Sequence, residues 1–244
     1  MIVPSYAGTY PQEKYNEKRK TISNMMTDNI IESQEFSLGK NYLCLIDLVE
    51  TKRPGIKYTS VNLFNKNELI IKTERNAYEC WICLIDDHPV TKKDYFMTGE
   101  DYQGYSVYNL TDRTGVCYYP NDVINGLAFI WHEVIPSPSG TSLAVIGSYL
   151  NSDLELAFYD FTDPSSLPLK EINRHHFIEF DEIEGWHGEE IFALKTYRLF
   201  RKSDKKPFEE LPASECEMLM QIPGAVEEII QIDKYSKTVQ EKDT

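Results

Sequence analysis

From Tyr42 onward the chain is a succession of short apolar or alternating runs separated by turn-forming residues. YLCLIDL (42–48), IKYTSVNLF (56–64) and ELIIKT (68–73) are divided by RPG and NKN, and seven further runs follow at 77–85, 102–110, 114–119, 127–135, 142–150, 154–161 and 189–200. Runs of this length, rich in β-branched and aromatic residues and bounded by Gly, Pro and Asn, predict strands and leave little room for helices. The first forty residues hold no period-2 run. There Pro11, Gln12 and Glu13 precede Tyr15, Ile22, Met25 and Met26, which predicts an amphipathic helix opened by proline or an extended arm. The stretch 208–222 is helix-compatible apart from Pro212, and Pro223-Gly224 breaks the chain after it. AVEEIIQID (225–233) then suits a strand or a short helix, and the final SKTVQEKDT reads as frayed. The expected fold is mainly β, propeller-like or an irregular antiparallel meander. Its divisions are an N-terminal arm or helix (1–40), a β-rich domain (41–206) and a C-terminal segment packed on it (207–244).

Four strand ends carry a polar residue in a similar apolar frame, at positions 47, 86, 109 and 160. Their spacing is irregular, which excludes a regular solenoid. The best-defined unit runs from Trp131 to Ile172. In it a Ser137-Pro138-Ser139-Gly140 turn leads into Leu143-Ala144-Val145, and a further strand ends Phe158-Tyr159-Asp160. Pro138 presets φ and Gly140 accepts a positive φ, so the flanking runs pair as a hairpin. This segment resembles one blade of a β-propeller of the tryptophan-aspartate-repeat type. The resemblance implies four-stranded antiparallel sheets repeated along the chain.

Composition narrows the class. Of 244 residues 41% are apolar and 12% aromatic, with 16 Tyr and 11 Phe, which favours an ordered, sheet-rich protein. No run of 18 apolar residues and no charged start followed by an apolar stretch is present, so a cytoplasmic protein without a membrane span is expected. The five cysteines follow no framework spacing and read as reduced core residues. A formal net charge of −14 argues against nucleic acid and anionic membranes as partners. The charge is uneven: between Asp153 and Glu190 eleven acids face two bases, Lys170 and Arg174. Electrostatic steering through this stretch would draw a basic protein partner.

No complete catalytic or cofactor signature is present, and no cofactor is expected. Gly147-Ser148-Tyr149 lacks the second glycine of a nucleophile elbow, and neither phosphate-binding glycine pattern occurs. Cys80-Trp81-Ile82-Cys83 spells C-x-x-C inside an apolar run, where strand geometry sends the two thiols to opposite faces and no shared metal is expected. At Trp131-His132-Glu133 alternation sends Trp131 and Glu133 to one face. The stretch 175–190 holds Phe177, Phe180 and Trp186 among acids, with Gly185 and Gly188 bracketing Trp186-His187. A Gly-flanked loop bearing Trp and His has the composition of a recognition surface. Glu179, Asp181, Glu182, Glu184, Trp186 and His187 are the candidate partner-binding residues of a non-catalytic, inhibitor- or immunity-like module. The competing readings are a metal-dependent hydrolase, using His175, His176 or His187 with Asp181 or Glu184, and a scaffold that binds through its N-terminal arm.

Overall fold

The computed structural model describes residues 1–176 and 178–238. The chain is mainly β and divides into two compact units, Met1–His176 and Phe177–Thr244. The first unit opens with β1 (Ser5–Tyr6) and α1 (Gln12–Met25). Three four-stranded antiparallel meanders follow in chain order. The first is β2 (Met26–Leu38), β3 (Tyr42–Thr51), β4 (Lys57–Asn65) and β5 (Glu68–Arg75). The second is β6 (Ile82–Ile85), β7 (Tyr95–Gly99), β8 (Tyr105–Asn109) and β9 (Thr114–Tyr118), and β1 joins its edge parallel to β9. The third is β10 (Ile130–Pro136), β11 (Ser142–Ser148), β12 (Leu154–Asp160) and β13 (Glu171–His175).

Strand alternation explains how these sheets share a core. Cys83, Ile85, Tyr95, Met97, Tyr105 and Val107 leave one face of the second sheet and pack with Trp131, Val134, Leu143, Val145, Ala157 and Tyr159 of the third. Phe96 and Tyr108 leave the other face and pack with Cys44, Val61, Leu63 and Ile71 of the first, joined by Ile82 and Leu84. The second sheet is therefore the middle layer, and all five residues of β7 are buried. A strand buried on both faces reads as a continuous apolar run or not at all. YFMTG, with a threonine and a glycine, escapes the sequence pattern. So does β2, for the opposite reason: it is an edge strand with ten consecutive exposed positions, and nothing imposes a period on it.

Turn chemistry sets the registers. Asn65 pairs with Glu68 around Lys66 and Asn67, which both have positive φ (47° and 72°), the backbone of a two-residue hairpin turn. The Ser137–Gly140 turn closes with the Gly140 N–H donating to the Ser137 carbonyl at 2.8 Å, and Gly140 has φ +74°. The unit outlined by the sequence from Trp131 to Ile172 thus spans most of the third meander. At 77–85 only Ile82–Ile85 is a strand.

The N-terminal helix is built into the unit. Tyr15 and Ile22 are buried, and Tyr15 donates to Glu100 Oε2 at 2.7 Å. Lys18 Nζ lies 2.6 Å from Asp101 Oδ2, while Arg19 donates to the Glu100 carbonyl at 3.0 Å and to the Glu74 carbonyl. Arg75, only 3% exposed, donates twice to the Asp101 carbonyl. Glu100 and Asp101 are each 2% exposed, so these partners replace the water that burial removes. Residues 1–40 therefore comprise an anchored helix, a short strand and an edge strand.

In the second unit β15 (Ile191–Arg201) pairs with β14 (Glu182–His187), with β16 (Lys206–Pro207) and, over eleven residues, with β17 (Val226–Ser236). A single turn at Phe208–Glu210 and α2 (Ala213–Met220) lie between β16 and β17. The run at 225–233 is therefore strand, as its adjacent isoleucines favour. Residues 239–244, most of the terminal stretch read as frayed, lie outside the described residues, as does Phe177.

Candidate binding site

The first unit contains a cavity of about 260 Å³ between the second and third sheets, just below the roughly 300–1,000 Å³ usual for small-molecule sites. Its floor is aromatic. Trp131 on β10 stacks on Tyr105 of β8 with centroids 4.4 Å apart and planes 18° from parallel, and Tyr159 of β12 lies 4.8 Å from Trp131. Tyr118, Phe129 and Tyr149 complete the aromatic lining and are half-buried. Tyr105 and Tyr118 are register partners on β8 and β9, and Trp131 meets Tyr105 from the third sheet; aromatic pairs at this spacing add about 0.5–1.5 kcal/mol beyond burial.

The polar wall comes from β13 and from the turn at Asn121–Asn125. Arg174 lies over the Phe129 ring at 4.0 Å and 5.5 Å from the centre of Tyr149. It grips Glu171 through two hydrogen bonds, at 2.9 and 2.5 Å, and donates to Glu155 at 2.7 Å. Burial opposes charge on both Arg174 and Glu155. Hydrogen bonding wins: Glu171 and Glu155 hold the Arg174 pKa up, and Arg174 with His176 hold Glu155 below the usual carboxylate range. Tyr159 is pushed up by burial and by Glu171. Asp122, also on the cavity wall, is exposed and has no ion-pair partner among the described residues. Ile124, Leu127 and Leu150 are more than half exposed, and Leu127 lines the cavity.

The register of β10 corrects one expectation. A bulge between Trp131 and Glu133 breaks alternation, so that Trp131 is buried while His132 and Glu133 are both exposed. His132 Nε2 and Ser148 Oγ are 2.8 Å apart across β10 and β11. Partial desolvation of the ring lowers the His132 pKa, and among the described residues no carboxylate hydrogen-bonds its other ring nitrogen.

The residues picked from 175–190 fall in both units. His175, in β13, lies edge-on to Phe158, and His176 Nδ1 is 3.0 Å from Glu155. The others belong to the second unit. Glu179, Asp181 and Glu182 are exposed, but Lys195 lies 2.6 Å from Glu182 and 3.0 Å from Glu184 and neutralises part of this face. Trp186 and His187 end β14 rather than forming a loop. Trp186 is half-buried and meets Phe192 edge-on at 5.5 Å, whereas His187 is exposed. Gly185, with φ +92°, sits at a bulge in this strand, and Gly188 forms the turn after it. A positive-φ bulge and a tight hairpin account for both glycines.

Among the described residues no group of three or more His, Cys, Asp or Glu side chains is placed to hold a metal ion. Cys83 packs in the core shared with the third sheet and Cys80 against the core shared with the first, the opposite-face arrangement expected of them. No helix among the described residues is long and apolar enough to cross a membrane.

No family model matches the chain. It is similar to uncharacterized protein R762 of Acanthamoeba polyphaga mimivirus, 35% identical over 74 residues. The similarity covers 30% of this chain and 29% of that protein, so the chain matches under a third of the relative's length.

Proposed function

We propose that the protein is a non-catalytic protein-binding module that engages a basic partner. The observation that carries this reading is the charge. With 39 acids and 25 Lys and Arg, internal pairing leaves carboxylates over. Glu179 and Asp181 remain exposed on the second unit and Asp122 on the first. Exposed carboxylates in excess on an acidic chain speed encounter with a basic protein and disfavour acidic ones.

The test is affinity capture from the protein's native cells at low and high salt, near 0.05 and 0.5 M, where screening lengths differ severalfold. Basic proteins retained at low salt and released at high salt are expected, with weaker capture by the Glu179→Gln/Asp181→Asn/Glu182→Gln variant. Capture indifferent to salt would overturn the reading. A stoichiometric divalent ion lost on replacing His187 and Asp181 would favour the hydrolase instead.

A further inference from the structure

We propose that the aromatic cavity around Trp131 is a pocket for one cationic side chain, an arginine or lysine, presented by the partner with an apolar residue beside it. This rests on the reading of the protein as a binder of basic partners and names the anchor point. The cavity already shows its preference, because the one cation in it, Arg174, is held by aromatic faces and by carboxylates at its edge. Asp122 offers a further carboxylate in the lining, and no cation of the described chain meets it. The lining carries Asp122 and Glu171 against Arg174 alone, an excess of one negative charge.

Size and surroundings point the same way. About 260 Å³ suits a single side chain better than a large cofactor. The lining supplies Leu127, exposed by 62%, which would cover an apolar neighbour of the inserted residue. An arginine or lysine stem buries its methylenes against such a surface while its charged end reaches the carboxylate. Aromatic rings beside that end add cation–π attraction, which grows as water is excluded.

The experiment is an NMR titration of the full chain, reading the three indole N–H resonances, assigned with Trp81→Phe and Trp186→Phe. The probes are Nα-acetyl-arginine methylamide and its neutral isostere Nα-acetyl-citrulline methylamide. The arginine probe is expected to move the Trp131 resonance and leave Trp186 unmoved, with affinity at least fivefold above the citrulline probe. Asp122→Asn, at an exposed position that leaves the fold intact, is expected to weaken the arginine probe about fivefold, the scale of one partly exposed ion pair. Equal binding of the two probes, or an arginine affinity unchanged by Asp122→Asn, would overturn the proposal. A salt-indifferent partner complex would sink the charge reading of the whole protein without altering these shifts, so the two failures can be told apart.

Discussion

Replacing Arg174 by methionine removes the cation that ties β13 to the cavity while keeping most of the side chain's length. Its side chain is 11% exposed and that of Glu155 is 9% exposed, so the substitution leaves Glu155 buried with only the His176 contact of its ion pairs. Breaking a buried pair by removing one partner costs about 3–5 kcal/mol. The loss has a ceiling, because Glu155 can escape by taking up a proton. Protonating a carboxyl of ordinary pKa near 4.3 at pH 7 costs about 3.7 kcal/mol. The expected destabilisation is therefore about 3 kcal/mol, or roughly 6–12 °C in Tm for a unit of this size. In the wild type the Glu155 pKa lies below its unfolded value, so the unfolded state binds more protons as pH falls. Its contribution is present above the unfolded pKa and is lost as pH drops through the folded one. In the variant the escape by protonation grows easier with acid, and the deficit should shrink between pH 7 and pH 5. Thermal melts of wild type, Arg174→Met, Glu155→Gln and the double variant would show it, with the double variant recovering a large part of the loss. A deficit independent of pH, or additive effects of the two substitutions, would refute the reasoning.

Three further outcomes follow from the same structure. Gly140→Ala should cost about 1–2 kcal/mol for the left-handed backbone alone, and more because its Cβ would lie 2.8 Å from Ile85 Cγ2; denaturant melts with an unchanged Cm would contradict this. Tyr15→Phe removes a 2.7 Å donor from the buried Glu100 carboxylate and should destabilise by about 1.5–3 kcal/mol, seen as faster amide exchange in α1; unaltered exchange would count against an anchored helix. Burial pushes the thiols of Cys44 and Cys83 up to about 12, so a thiol reagent should label the partly exposed Cys80 and Cys216 first and the other three only on unfolding; rapid native labelling of Cys83 would contradict the core.

Much of the fold was legible because half-buried strands advertise themselves. The runs at 42–48, 56–64, 142–150 and 154–161 became β3, β4, β11 and β12, and the Ser137–Gly140 turn joins β10 to β11. The helix after Pro11 formed because proline suits its start. What escaped had no pattern to show. β2 is exposed along its length, β7 is buried on both faces, and β13 and β14 are short strands in acidic surroundings. The cavity was invisible for another reason. Its residues run from Gln103 to Arg174 and meet only once two sheets have packed. The single available signal was Arg174, one of two bases among eleven acids, which marks a position where charge pairing was needed. The bulge at Trp131 likewise cannot be read from alternation, since it is a departure from it.

Electrostatic capture of a basic partner is tested most directly by the association rate of the captured protein with this chain as ionic strength is raised. A rate that falls at least tenfold between about 0.05 and 0.5 M salt, with a much smaller change in dissociation, is predicted. A rate constant that stays flat over that range would contradict it.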